Sequence, residues 1–217
     1  LEAAPQRVFL SPRRINLIGE YTDFNGGHVF PAAISMGTYA AYVSRDDRQF
    51  RVYSANVPEA GMLTFSLDDL AFHKADNRAN YLKGMLFELA KQDLTIDHGF
   101  DLFVHGNLPD ASGLSSSASM EMLMGEILHA AYGMKLDEVE MVKVGQQVEN
   151  DYFGLNTGIM DQFAIGMGKK DQAMLLDTNT MAYEYAPLNL GNNVVVIMNT
   201  KKRRELTDSK YNERRAQ

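Results

Sequence analysis

The sequence predicts an α/β chain, a mixed sheet with packed helices, and three observations carry that prediction. Short β-prone runs crowd the first part of the chain, amphipathic helices dominate its middle, and β-prone runs return after them. Strands, then paired helices, then strands again suit a layered sheet-and-helix architecture. Hydrophobic residues make up 45% and charged residues 23% of 217 residues, enough apolar material to bury a core without staples. That length fits one large domain or two small ones.

The elements follow in order. Arg7 to Leu10 and Ile15 to Ile18 are short strand candidates separated by Ser11-Pro12, a turn signal. Gly19 to Gly27 is polar and turn-rich, ending in Asn25-Gly26-Gly27. His28 to Ile34, Thr38 to Ser44 and Gln49 to Ser54 then suggest a meander of strands. Leu82, Met85, Leu86 and Leu89 recur at helical spacing, predicting a helix over 80–92. Phe100, Leu102 and Val104 alternate with their neighbours, as a half-buried strand requires. Helices are predicted from about 114 to 132, with Leu123, Ile127 and Ala131 on one face, and from about 137 to 152, with Val144, Val148 and Tyr152 on another. Strands are expected over 173–177, 181–185 and 193–199, and a last helix over 205–215. There is no internal repeat and no flexible linker.

Charge and cysteine content exclude several classes. With 21 basic and 28 acidic residues the net charge is −7, which repels a nucleic-acid backbone, so any phosphate must be held by a local device. The absence of cysteine excludes disulfides and thiolate metal sites. No apolar run is long enough to cross a bilayer and no signal-peptide pattern opens the chain, so a cytoplasmic protein with neither membrane nor nucleic-acid partner is expected. The chain opens on Leu1 and ends in a helix-like run, so both ends read as cut.

Three polar constellations stand out. Gly113-Leu114-Ser115-Ser116-Ser117-Ala118-Ser119 follows a predicted strand and opens a helix, where free backbone N–H groups and the helix dipole attract phosphate. It lacks the Walker pattern. A serine-rich helix cap is the alternative, although one serine would suffice for that. Arg13-Arg14 with Glu20 and Asp23 forms a charged cluster about an apolar strand, which suits a solvated loop. Equally, Glu20-Tyr21-Thr22-Asp23 offers the acceptors, donor and aromatic face a sugar requires. Asp161, between apolar neighbours in Gly158 to Phe163, is either a helix cap or a functional acid or base, and Glu149 lies beside the apolar stripe near a helix end.

Taken together, Ser11 to Gly27, Gly113 to Ser119 and Gly158 to Phe163 resemble, in order along the chain, three segments of the galactokinase family. That family belongs to a kinase superfamily with the homoserine, mevalonate and phosphomevalonate kinases. The resemblance implies an enzyme, an ATP-dependent sugar kinase, with galactose and ATP as ligands and Mg²⁺ as cofactor. By position it makes Asp161 the catalytic base and Arg14 the arginine that stabilises the transferring phosphoryl group. It puts Glu20, Tyr21, Thr22, Asp23 and Tyr211 at the sugar. Ser54 and the loop Ala111, Ser112, Gly113, Leu114, Ser115, Ser116 and Ser117 fall at the nucleotide, and Ser117 with Glu149 on the Mg²⁺ ligands. An arginine beside an aspartate makes it a weaker base, so Asp161 either takes the sugar's proton or orients its hydroxyl.

The chain departs from the family's usual residues at Arg13, Tyr21, Phe24 and Ala111, where Gly, His, Tyr and Gly are common. Tyr21 keeps open a kinase for a related sugar such as N-acetylgalactosamine. A non-catalytic galactose and ATP sensor is the rival of another class, and intact Arg14, Glu149 and Asp161 speak against it. The family's glycine-rich third motif has no counterpart here. Residues 1–217 are therefore expected to be an N-terminal sugar- and ATP-binding kinase domain, incomplete and inactive by itself.

Overall fold

The computed structural model describes residues 3–92, 95–108, 113–198 and 212. Among them an α/β architecture forms, as expected. Strands β1 (Arg7–Asn16), β2 (His28–Val29), β3 (Pro31–Ser44), β4 (Gln49–Ser54) and β5 (Met62–Ser66) precede helix α1 (Ala79–Ala90). Strand β6 (Phe100–Gly106) leads into helices α2 (Ser116–Tyr132), α3 (Glu138–Gln147) and α4 (Met160–Gly166), and β7 (Gln172–Asp177) and β8 (Tyr183–Pro187) follow.

A five-stranded sheet has the order β1-β3-β6-β4-β5, and a smaller one the order β2-β7-β8. The expected meander is corrected by this order: β6 inserts between β3 and β4, antiparallel to the first and parallel to the second. Its Phe100, Leu102 and Val104 are fully buried. Such a run must be covered on its own face, and α1 and α2 supply the cover through Leu82, Met85, Leu86, Leu123, Met124 and Ile127.

The two strands expected over 7–10 and 15–18 are one. Pro12 sits inside β1, and the register against β3 shifts between Pro12 and Arg13, leaving Ser35 and Met36 of β3 without partners. A proline removes one ladder donor, and a bulge accommodates that without ending the strand. Past the shift, Arg13 and Ile15 turn inward and Arg14 turns to the other face.

Helix α3 begins where the sequence places it. Asp137 Oδ1 accepts from Glu140 N at 2.8 Å and Glu140 Oε2 accepts from Asp137 N at 3.2 Å, a reciprocal capping box. The helix predicted to run on to 152 instead stops at Gln147 and widens into a π turn over Val148–Tyr152. Strand β5 and the short helix α4 had no clear periodic signal. The run expected as a strand over 193–199 forms none over 193–198, where Val194 is 79% and Val196 71% exposed. A β-prone run without a neighbour to pair with has no ladder to join. Apart from Asn212, the helix expected over 205–215 lies outside the described residues.

Candidate active site

Four separated segments meet at the N-terminal ends of α2 and α4. Arg14, on the outward face of β1, donates from Nε to Asp161 Oδ1 at 2.7 Å and from Nη1 to the Gly113 carbonyl at 3.1 Å. Ser115 Oγ donates to the other oxygen, Asp161 Oδ2, at 2.5 Å. The loop, the arginine and the aspartate thus hold one another in place. Asp161 is in the first turn of α4, and the N-cap position there is Ile159, so the capping alternative for Asp161 falls away.

The serine cluster divides its labour. Ser115 occupies the N-cap position of α2 with φ 56°, after Gly113 at φ 75°, and its hydroxyl makes no capping bond. A left-handed serine is a strained backbone, held here by the bond to Asp161. Ser119 is fully buried, and its hydroxyl lies 3.1 Å from the Ser11 carbonyl and 3.0 Å from Thr38 Oγ1, fastening α2 to the sheet. Ser117 lies within electrostatic reach of Glu149 and favours its ionised form.

Glu149 lies in the π turn after α3 and is buried, as its place beside the apolar stripe suggested. Such turns recur at functional sites, where they redirect a side chain. Burial pushes its carboxyl up from the usual range and the charge of Asp161 pushes the same way, while the polar side chains of Thr157, Ser117 and Gln162 pull it back. Glu121 of α2 is fully buried nearby and is pushed well up, first by burial and then by Glu149. Asp23 is pushed up by burial and by Asp161. Asp23, Glu121 and Glu149 thus all feel the charge of Asp161, although among the described residues no three His, Cys, Asp or Glu side chains are grouped so as to hold a metal ion.

Asp23 reaches α4 from the Gly19–Gly27 loop, with Oδ2 3.4 Å from Met160 N. Gly158 makes room for it: a Cβ there would lie 2.1 Å from the same oxygen. In that loop Thr22 Oγ1 lies 2.7 Å from the Gly19 carbonyl and 2.9 Å from the His28 carbonyl, so its hydroxyl is engaged in holding the loop. Tyr21 has φ 62°, is 60% exposed and packs edge-on against Phe24 at 5.9 Å. Glu20 is exposed. Ser54 is buried at the end of β4 opposite Val104 and makes no hydrogen bond to the Arg14–Asp161 cluster. Ala111, Ser112 and Tyr211 lie outside the described residues. Arg13, expected in a solvated charged cluster, is fully buried instead, because strand alternation sends it to the face opposite Arg14.

Sequence reasoning missed Glu121, Gln162 and Thr157. Glu121 had a signal, a carboxylate between Met120 and Met122 and four residues after Ser117, on the same helix face. Gln162 was masked by its neighbour Asp161, and Thr157 gave no signal.

Residues 80–169 match the model of the GHMP kinases N terminal domain, and residues 2–43 match the galactokinase galactose-binding signature. The chain is 92% identical over 216 residues to the galactokinase of Levilactobacillus brevis, covering all of this chain and 56% of that protein. The chain belongs to the galactokinase family. The galactokinase of Lactiplantibacillus plantarum is 61% identical over 216 residues, again with 56% of that protein covered. The crystal structure of Lactococcus lactis galactokinase complexed with galactose superposes with a TM-score of 0.90 at 49% identity, over 96% of this chain and 54% of that one. Methanococcus jannaschii mevalonate kinase, at 18% identity and a TM-score of 0.67 over 82% of this chain and 55% of that one, shares the fold. The chain thus spans about half the length of the family members it matches. Among the described residues no helix is long and apolar enough to cross a membrane.

Proposed function

We propose that residues 1–217 form the sugar- and nucleotide-binding part of an ATP-dependent galactokinase. The observation that carries the proposal is the triangle of Arg14, Asp161 and Ser115, closed by bonds of 2.7 and 2.5 Å across three distant segments. Phosphoryl transfer asks a protein for positioning and charge neutralisation more than for covalent chemistry, and such a triangle offers both.

In the proposed reaction the anomeric oxygen of galactose forms a bond to the γ-phosphorus of ATP while the bond from that phosphorus to the bridging oxygen breaks, releasing ADP. Asp161 faces the hydroxyl and accepts its proton, early or late in the step. Arg14 holds Asp161 and lies where negative charge develops on the phosphoryl oxygens. Asp23, with Glu20 and Tyr21 in the same loop and Tyr211, binds sugar hydroxyls, while Thr22 shapes the loop. The nucleotide phosphates fall at Ala111 to Ser117, where backbone N–H groups open α2, and Ser54 lies near the nucleotide.

Ser117 and Glu149 would hold Mg²⁺. They offer the hard oxygen donors that ion takes, and the buried Glu121 Oε1 and Gln162 Oε1 nearby have no hydrogen-bond partner. When bound, the ion supplies positive charge to the phosphates. A kinase of this kind works where ATP is made, so a cytoplasmic location accords with the reading.

The test is galactose-dependent ADP release by the full-length protein over a panel of galactose, N-acetylgalactosamine and glucose. Galactose should give the highest kcat/KM. Preference for N-acetylgalactosamine would make Tyr21 the sign of a related sugar kinase, and binding of galactose and ATP with no ADP formed would make the protein a sensor.

A further inference from the structure

The backbone from the π turn to α4 delivers Gly158 and Asp161 to the site, and it is held in part by a residue far along the chain. Phe153 N donates to the Val148 carbonyl at 3.0 Å and Leu155 N to the Glu149 carbonyl at 2.9 Å. Thr157 N donates to Asn150 Oδ1 at 2.9 Å, and the Thr157 carbonyl accepts from Gln146 Nε2 at 3.2 Å. These bonds come from the turn and the helix just before the segment. Two further bonds reach much farther. Asn156 N donates to Asn212 Oδ1 at 3.0 Å, and Asn212 Nδ2 donates to the Gly154 carbonyl at 3.4 Å, across 56 and 58 positions.

A single carboxamide thus takes a donor and an acceptor on alternate residues, as a neighbouring strand would. Its two ends differ chemically, so the pair of bonds also sets which way round the amide sits. Two residues past Asn156, Gly158 faces Asp23, where a Cβ would lie 2.1 Å from Asp23 Oδ2. Asp161 follows in the first turn of α4. On the other side of the clasp, Asn212 is joined directly to Tyr211. The plain alternative is a surface amide that only ties down the chain. Such a tie needs one bond to any exposed group, whereas this amide answers two backbone groups of the segment that leads to Asp161.

Resting on the kinase reading above, we infer that Asn212 is a positioning residue for the sugar: its carboxamide fastens the chain that carries Tyr211 to the backbone of Gly154 and Asn156, and so sets Tyr211 against Asp23 and Asp161 at one spacing. Asn212 itself touches neither the sugar nor the transferred phosphoryl group.

The test is calorimetric titration of galactose and, separately, of ADP into the full-length protein, beside melting temperature and the KM for galactose in ADP release. Asn212→Ala, which removes both bonds, should raise galactose Kd and KM about 10-fold, the factor that corresponds to one hydrogen bond lost. ADP Kd should stay within about twofold, because the loop that opens α2 shares no partner with Asn212. A merely structural role would lower the melting temperature and move both ligands or neither. Asn212→Asp keeps the acceptor for Asn156 N and should bind galactose more tightly than Asn212→Ala does. Ligand and clasp are linked reciprocally, so galactose should slow hydrogen exchange of the Asn156 amide in the unsubstituted protein while ADP does not. That measurement decides the matter even if Asn212→Ala does not fold.

Unchanged galactose affinity in Asn212→Ala, or equal losses for galactose and ADP, would overturn the inference. So would Asn212→Asp binding galactose no better than Asn212→Ala, or an Asn156 amide whose exchange ignores galactose. Failure of the unsubstituted protein to bind or phosphorylate any sugar would sink the kinase reading, and the inference built on it, before any variant is made.

Discussion

Two adjacent arginines show what one residue's position is worth. Composition and spacing alone do not separate Arg13 from Arg14, yet one is fully buried and the other binds Asp161. Alternation along β1 after its register shift makes the difference, and no local signal announces the shift beyond Pro12. Asp161 was legible as a carboxylate among apolar residues, but only the structure shows both of its oxygens engaged, one by Arg14 and one by Ser115. Replacing Asp161 with Asn keeps the shape and removes the charge and the proton acceptor. In the full-length protein kcat should fall about 10²-fold or more, because general-base contributions are of that size. Galactose affinity by calorimetry should change little. A near-normal kcat would reduce Asp161 to a structural anchor.

Among the elements, β6 organises the larger sheet. It was readable as a strand from Phe100, Leu102 and Val104, but its place between β3 and β4 was not, since a sequence carries no record of which strands become neighbours. At its start Asp101 accepts from Arg51 Nε at 2.7 Å and from Arg45 Nη1 at 3.1 Å. The first of these is on β4, so the pair fastens the parallel junction. These guanidinium groups, Arg51 foremost, hold the Asp101 carboxyl below the usual range. A depressed carboxylate stabilises the fold above its ordinary range, and that contribution is lost as pH falls through the depressed value. Asp101→Asn should therefore cost about 2 kcal/mol near neutral pH, the scale of a charged hydrogen-bonded pair broken on one side. The gap to the unsubstituted protein should narrow as pH falls below about 4. Urea denaturation at several pH values measures it, and a gap independent of pH would mean the ion pairs contribute nothing.

At the scale of the whole molecule, the chain spans about half the length of its relatives, and the run from Val194 to Met198 is exposed and apolar. Holding donor and acceptor in line and excluding water both require a closed cleft. A polypeptide of residues 1–217 alone is accordingly expected to release no galactose-dependent ADP, to bind nucleotide weakly, and to self-associate through its apolar surface. A coupled assay beside the full-length protein, with light scattering on both, checks this. Comparable rates would show that residues 1–217 suffice.

The sequence by itself determined the α/β class, the helices around 79–90 and 116–132 and the start of α3, and it singled out Glu149 and Asp161 as candidate carboxylates. These follow from period, caps and residue chemistry, which are local properties. Only the tertiary structure decided that β6 lies between β3 and β4, that Arg13 is buried while Arg14 is not, and that Glu121 and Gln162 stand behind the site. The reason is physical: a strand's neighbours and a helix's partners are chosen by long-range burial, and the residues that meet there come from segments up to 151 positions apart.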